Sequence, residues 1–411
     1  MPASPSTARA INDRLALRLL QQEGPLTASR LKQLTGLSRP TVADLVERLT
    51  DSGLVTVVGE SGEQRRGPNA RVYGIVADRA HLAALDIRTE GVSVVVSDLV
   101  GAVLTEASVP IDGGSGTGPA VERAVALVER AATEAGSLGA APPAGPGRGW
   151  GRLHTVGIGA PGLIDPGTGE LRDSSGLPAW HRRLVAELQD RLPGARVLVE
   201  NETNLAALAE QRDGVARDRD TFVLLWLGHG TGAAVVLDGA LRRGASGGTG
   251  EIGFLPVPGT AALPSATDCE GGFHSLAGGA AVAELAGRFG VTARPEGHEP
   301  HAAALVRRAV AGAAGSPGAA AFLDALADRL AIGAASVTAV LDPGCVVLGG
   351  EVGRAGGGAL AERVERRLAR MSPLPTEVRA GTLGGGAVLR GALITARDGA
   401  QDDLFGPPAG R

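Results

Sequence analysis

The sequence predicts an α/β protein: a two-lobed body with a cleft between the lobes, preceded by a small head of three helices and a β-hairpin. Three observations carry that expectation. Apolar residues keep helical spacing as far as Gly53, short β-branched runs alternate with helical stretches from about residue 80, and that alternation passes through two successive cycles. A chain of 411 residues holds two to three domains at ~100–200 residues each, with boundaries expected at 1–78, 79–199 and 200–411.

In the head, Ile11, Leu15, Leu19 and Leu20 recur at helical spacing, and Gly24 with Pro25 breaks the run. Thr27 is placed to cap a short second helix that carries Leu31 and Leu34 and stops at Gly36. Ser38 caps a third, with Pro40 near its first turn, Val42, Leu45, Val46 and Leu49 on one face, and Gly53 at its end. Leu54 to Val58 and Arg71 to Val76 then read as two strands. The polar run Gly59 to Ala70 joins them, so the hairpin has a long basic tip with Arg65, Arg66 and Arg71.

The body opens with strands at His81 to Ile87, Val92 to Ser97 and Val103 to Val109, then a helix from about Pro119 to Glu134. Gly136 to Gly151 is rich in Gly, Pro and Ala and reads as a flexible insertion. A strand at Thr155 to Gly159, a helix near Arg182 to Leu192 and a strand at Arg196 to Val199 complete the first cycle. The second cycle has a helix at Asn204 to Glu210, strands at Thr221 to Leu227 and Ala233 to Leu237, two later helices and a buried strand at Cys345 to Leu348. The last helix is expected to pack back on the first lobe.

Composition removes several classes. Two cysteines, Cys269 and Cys345, make neither a disulfide framework nor a four-thiolate metal site. Met1 to Leu20 has no apolar block behind a basic start and no run of ~18 apolar residues occurs, so the expected location is cytoplasmic, without membrane. Gly at 63 of 411 is about twice the usual ~7%, which suits turns and close backbone approaches. The net charge of -4 is unevenly spread: residues 1–79 carry 11 Lys+Arg against 8 Asp+Glu, the remainder 29 against 36. A mildly basic head on an acidic body is one mark of a nucleic-acid-facing N-terminus, and a solvated basic face explains it as well.

The stretch from Leu26 to Leu54 has helix-turn-helix spacing with Gly36 in the turn. In such a motif the second helix enters the major groove and its first residues reach base edges, which assigns that end to Ser38, Arg39, Pro40 and Thr41. Arg39 suits a guanine, Ser38 and Thr41 a phosphate or base, and the helix N-terminus itself attracts phosphate. Arg48 lies further along, toward the DNA backbone, and Arg65 and Arg66 sit on a wing that reaches phosphate or a minor groove. Against this stands a small helical domain used for packing, its arginines merely solvated.

A specific resemblance now enters. The head, followed by "VGIGAPGLID" (Val156 to Asp165), "VLVENETNLAALAE" (Val197 to Glu210), "LGHGTGAAVVLDGAL", "GGTGEIGF" and "LDPGCVVLGG", resembles the ROK family of repressors, open reading frames and sugar kinases over essentially the whole chain. The resemblance implies a two-lobed actin-like ATPase and sugar-kinase body of ribonuclease H-like lobes. For the repressor branch it also implies an N-terminal winged helix-turn-helix.

Kinase chemistry needs a Gly-rich hairpin for phosphates and a carboxylate base on the sugar hydroxyl. Where family kinases read Asp-x-Gly-Gly-Thr-Lys, this chain has Asp86, Ile87, Arg88, Thr89, Glu90, Gly91, in a register fixed by Asp98. Both glycines are gone and an acid stands where phosphate would approach. The second loop, Gly228 to Gly232, is better preserved, but a bare turn explains it equally.

The family's Glu-Asn-Asp is here Glu200, Asn201, Glu202. Glu202 is one methylene too long for the catalytic carboxylate, and is open to two readings: a hydrogen bond to a sugar, or an acid favoured at a helix start. The family's Cys-rich zinc module is missing: Glu251 survives, Phe254 replaces its His, and Cys269 is the lone thiol. His274 falls near the sugar-binding Glu and is either a ligand contact or a loop histidine.

The resemblance therefore implies a transcriptional regulator, a repressor, with a sugar or sugar-derived effector held by Gly162, Asn201, Glu202, Glu251 and His274. Trp180 or Phe254 would offer the sugar an apolar face. No catalytic residue, cofactor or metal is expected, and the partners are operator DNA, the effector and a second copy as homodimer or dimer of dimers. The alternative is an ATP-dependent, glucokinase-like sugar kinase with an appended head.

Overall fold

The computed structural model describes residues 5–61, 69–111, 114, 116–137, 153–172, 178–192, 194–260, 262–265, 270–297 and 299–405. Residues 138–152, most of the expected insertion, lie outside the described residues.

The head runs α1 (Pro5–Glu23), β1 (Leu26–Thr27), α2 (Ala28–Thr35), α3 (Arg39–Asp51), β2 (Val55–Ser61) and β3 (Ala70–Ile75). Thr27 caps α2 by accepting from the Arg30 amide, and Gly36 closes it at φ 70°, a left-handed turn that glycine adopts without strain. Ser38 caps α3 through the Thr41 amide, with Pro40 in the first turn. Val42, Leu45, Val46 and Leu49 are buried against Ala16, Leu17 and Leu20 of α1. The two-residue β1 pairs with β3 and makes a three-stranded wing, order β1-β3-β2. Two residues carry no periodicity, so that strand is invisible in the sequence.

The first lobe has β4 (His81–Arg88), β5 (Gly91–Asp98), β6 (Val103–Pro110), α4 (Thr117–Glu134), β7 (Leu153–Ala160), α5 (Trp180–Arg191) and β8 (Arg196–Asn201). The second follows with α6 (Glu202–Arg212), β9 (Phe222–Leu227), β10 (Thr231–Leu237), β11 (Ala240–Arg242), α7 (His274–Ala277), α8 (Gly279–Arg288), α9 (His301–Gly312) and α10 (Pro317–Leu341). It ends with β12 (Cys345–Gly349), α11 (Gly350–Met371), β13 (Glu377–Ala380) and α12 (Ala387–Phe405). Among the described residues four α-helices, not the expected two, lie between β10 and β12. The two sheets repeat one plan, β6-β5-β4-β7-β8 and β11-β10-β9-β12-β13, with three antiparallel strands and two parallel ones.

Packing follows strand alternation. Val223, Leu225 and Leu227 of β9 face α8 to α11, while Phe222, Leu224 and Trp226 face the core shared with α6 and α12. In β4, Ala83, Leu85 and Ile87 face α4 and α5, and Leu82 and Ala84 the shared core. Cys345 is buried there as an apolar residue, and burial pushes its thiol up to about 11. Among the described residues no helix is long and apolar enough to cross a membrane.

Helix α12 lies directly on β7. A Cβ on Gly157 would stand 2.3 Å from the Ala392 carbonyl oxygen, and one on Gly391 would stand 2.0 Å from that of Leu205. The far end of α12 meets the head: Gln401 donates to Gln21 at 2.9 Å, Gln21 donates to the Val100 carbonyl at 3.1 Å, and Asp402 pairs with Arg14. Gly157→Ala is expected to destabilise the protein by about 1–3 kcal/mol through overpacking, read from urea unfolding. Gly287→Ala, in α8 with open space around it, should be neutral or gain up to about 1 kcal/mol.

Candidate functional site

The head presents the N-terminus of α3. Ser38, Arg39 and Pro40 are exposed and Thr41 half-buried, with Ser38 Oγ and Thr41 Oγ1 sharing a hydrogen bond of 2.7 Å. No described side chain holds the Arg39 guanidinium. Arg65 and Arg66 lie outside the described residues. Arg48 is already paired within the head. Its guanidinium reaches Asp13 of α1 at 2.5 Å and pairs with Asp44 one turn back on α3. The Asp13 bond, set against some burial, raises its pKa. A phosphate would compete with two carboxylates for Arg48, which ties α3 to α1.

In the body, the carboxyl ends of β4, β7 and β8 from one lobe and of β9 and β12 from the other open on one cleft, where open α/β sheets bind ligands. Asn201 caps α6. Its Oδ1 accepts from the Thr203 amide at 2.8 Å and its Nδ2 donates to the Gly162 carbonyl at 3.0 Å. Gly162, at φ 100°, sits in the turn after β7. Asn201 is thus engaged in holding the cleft wall, with one amide hydrogen left for a ligand. Glu200, just behind it, accepts from Asn204 at 2.9 Å and from Arg243 at 2.6 Å.

Glu202 is half-buried at the cleft floor. Burial first, then the charges of Asp86, Glu351 and Glu251, push its carboxyl up to about 8, with Arg88 opposing. Glu251 is raised by burial as well. His274 opens α7 behind the second Gly-rich loop, and burial, then neighbouring His229, lowers its pKa. Its near neighbours are Gly253 and Gly278. Phe254, 37% exposed beside Glu251, offers an apolar face, whereas Trp180, at 4%, is buried in the first lobe's core and does not. Among the described residues no group of three or more His, Cys, Asp or Glu suits a metal ion, and Cys269 lies outside them.

The residue that sequence reasoning missed is Arg88. There it counted only as a lost glycine. Its Nε donates to Asp86 Oδ2 at 2.8 Å, Nη1 to Glu351 Oε1 at 2.6 Å, and Nη2 to the Gly385 carbonyl at 2.8 Å. Burial works against its charge, but Asp86 and Glu351 outweigh it and raise its pKa. Glu351 also abuts the second loop, its Oε2 lying 2.9 Å from where a Cβ on Gly228 would stand. An arginine–glutamate pair therefore fills the space where the two loops converge. The available signal was an arginine in the first loop and an acid directly after "LGG".

A family model described as the ROK family matches residues 148–399. The chain belongs to the ROK family. A second model, of the MarR family, matches residues 11–67, from α1 into the wing. The xylose repressor of Caldicellulosiruptor bescii is 25% identical over 252 residues, 61% of this chain and 59% of that protein. The match thus spans about three fifths of that repressor's length. The glucokinase of Thermotoga maritima is 31% identical over 229 residues, 51% of this chain and 68% of that enzyme. A solved ROK family transcriptional regulator, a homolog of the Escherichia coli MLC protein, superposes with a TM-score of 0.72 at 21% identity. It covers 97% of this chain and 98% of its own, so the likeness of fold extends through both head and body.

The charge on Glu202 yields a pH dependence. Its folded pKa of about 8 lies above the ordinary ~4.3, so the folded state keeps a proton that the unfolded chain has released. The stability it confers is complete below about pH 4 and lost as pH rises through about 8. Glu202→Gln removes that titration. Its melting temperature should gain on the wild type's progressively from pH 5 to pH 9 in thermal unfolding.

Proposed function

We propose that this ROK family member is a DNA-binding transcriptional repressor that senses a sugar or sugar-derived effector in the interlobe cleft and does not phosphorylate it. The observation that carries the reading is the capped, exposed N-terminus of α3, with an unpaired Arg39, on a head docked to a two-lobed body. The xylose repressor relative supports the same assignment. We divide the chain into a DNA-binding head, 1–78, and lobes 79–199 and 200–411. It works in the cytoplasm as a homodimer or dimer of dimers that sets two heads on a pseudo-palindromic operator. Gly162, Asn201, Glu202, Glu251 and His274 form the effector site, and Ser38 to Thr41 together with Arg65 and Arg66 serve DNA binding.

The Arg88–Glu351 pair supports the absence of kinase activity. A nucleotide phosphate entering between the loops would meet Asp86 and Glu351 with their arginine already bonded. The second reading, a sugar kinase with an appended head, is favoured by the higher identity to the glucokinase, 31%. An ATP-consumption assay over a sugar panel separates them: turnover abolished by Glu202→Ala would establish the kinase.

For the repressor, fluorescence anisotropy with the DNA upstream of its own gene should show salt-dependent, sequence-selective binding. Arg39→Ala should weaken that binding by about tenfold to a hundredfold, the value of about 1–3 kcal/mol for one base contact, and leave binding to unrelated DNA little changed. Equal affinity for both DNAs in the wild type would refute the repressor assignment.

A further inference from the structure

The outer face of α3 carries acids where a DNA-reading helix would ordinarily carry basic residues. Val42, Leu45, Val46 and Leu49 form its buried stripe, and at about 100° per residue the opposite direction falls on Pro40, Ala43, Asp44 and Glu47. All four are exposed, at the i, i+3, i+4, i+7 spacing of one helix face. That face holds no lysine or arginine. Asp44 is paired with Arg48, whose guanidinium is also held by Asp13 of α1. Glu47 has neither a hydrogen bond nor an ion pair among the described residues. Arg39, in the first turn, stands about 12 Å further back along the axis.

We propose that Glu47 is a specificity-determining residue of the head: its carboxylate accepts a hydrogen bond from the N4 amino group of a cytosine in the major groove. The proposal rests on the DNA-binding reading and adds to it one base that the helix selects. An unpaired carboxylate brought among phosphates weakens binding to every sequence unless a base donates to it. Cytosine N4 is the donor that suits it. Guanine and thymine turn acceptor oxygens to the groove, and adenine sets its N6 donor beside the N7 acceptor, which repels a carboxylate. The spacing from Arg39 along the axis places this cytosine about three to four base pairs from the guanine that Arg39 suits. Glu47 thus contributes by rejecting the other bases as much as by holding its own.

The test is selection from a pool of randomised duplexes with the full-length wild type, Glu47→Ala, Glu47→Gln and Arg39→Ala, followed by fluorescence anisotropy on the selected duplex and its single-base variants. Glu47 is exposed, so these substitutions leave the fold intact. The wild type should select half-sites with a cytosine whose replacement weakens binding by about tenfold or more. In Glu47→Ala that penalty should fall below about threefold, while binding to unrelated DNA grows tighter because a negative charge has gone. Glu47→Gln, whose amide matches adenine N6 and N7, should change the preference at the same position from cytosine to adenine. Arg39→Ala should relax a different position. If Glu47→Ala keeps the wild-type preference at every position, as it would were only the first turn of α3 to enter the groove, the proposal is overturned and the repressor stands. If the wild type selects no sequence, both fall.

Discussion

The structure turns on one arginine at the junction of the lobes, Arg88. Asp86, at the end of a central strand, is buried, which pushes its carboxyl up, and Arg88, two residues on, opposes that by donating to its Oδ2. The same guanidinium crosses to the second lobe and takes Glu351, in the first turn of α11, where the helix dipole favours an acid, and the Gly385 carbonyl just ahead of α12. Two of its three hydrogen bonds thus join the lobes at the point where both sheets point their carboxyl ends. Breaking the set would leave two carboxylates facing Glu202 with nothing to oppose them.

That clasp lies at one end of an element whose other end carries the head. Helix α12 begins after Gly385, runs across β4 and β7, and finishes beside α1 with Gln401 on Gln21 and Asp402 on Arg14. Small residues make the path tight: Gly157 and Gly391 let the helix backbone touch its neighbours, so it has little room to shift alone. One apolar core continues from Leu31 and Leu45 in the head through Leu99 and Ala396 to Phe222 and Val347 in the second lobe. An effector acts on the head through this body only as far as it binds one arrangement of clasp and α12 better than another.

The cleft carries its own cation and its own acid where the two loops meet. The first loop exchanges backbone room for a long cation, and a glutamate of the chain itself fills the gap between the loops. Meanwhile Asn201 and Gly162 keep the wall in shape through backbone-directed hydrogen bonds, which need no substrate. Glu202 keeps a carboxyl at the floor, with its proton retained near neutral pH by burial first and then by its acidic neighbours.

Local rules determined much of this protein from sequence alone. Caps at Thr27 and Ser38, the glycine stop at Gly36 and the apolar faces of α3 were legible because each depends on residues within four positions. The five strands of the first sheet and β9, β10 and β12 of the second were legible because alternation or an apolar run is a property of a single segment, whereas the short β11 and β13 were not. The winged head and the two-lobed body followed from the order of those segments. Contacts between distant residues were not legible. Nothing in the composition near Arg48 reveals that Asp13, 35 residues earlier, takes its charge. Nothing near Arg88 reveals Glu351, 263 residues later. Trp180 reads as an available aromatic face until the first lobe closes over it. The reason is physical: helix and strand formation are settled by short-range sterics and hydrogen bonds. Which charges pair, which acceptor is left bare and which ring is covered depend on how those elements pack, and only the tertiary structure decides that.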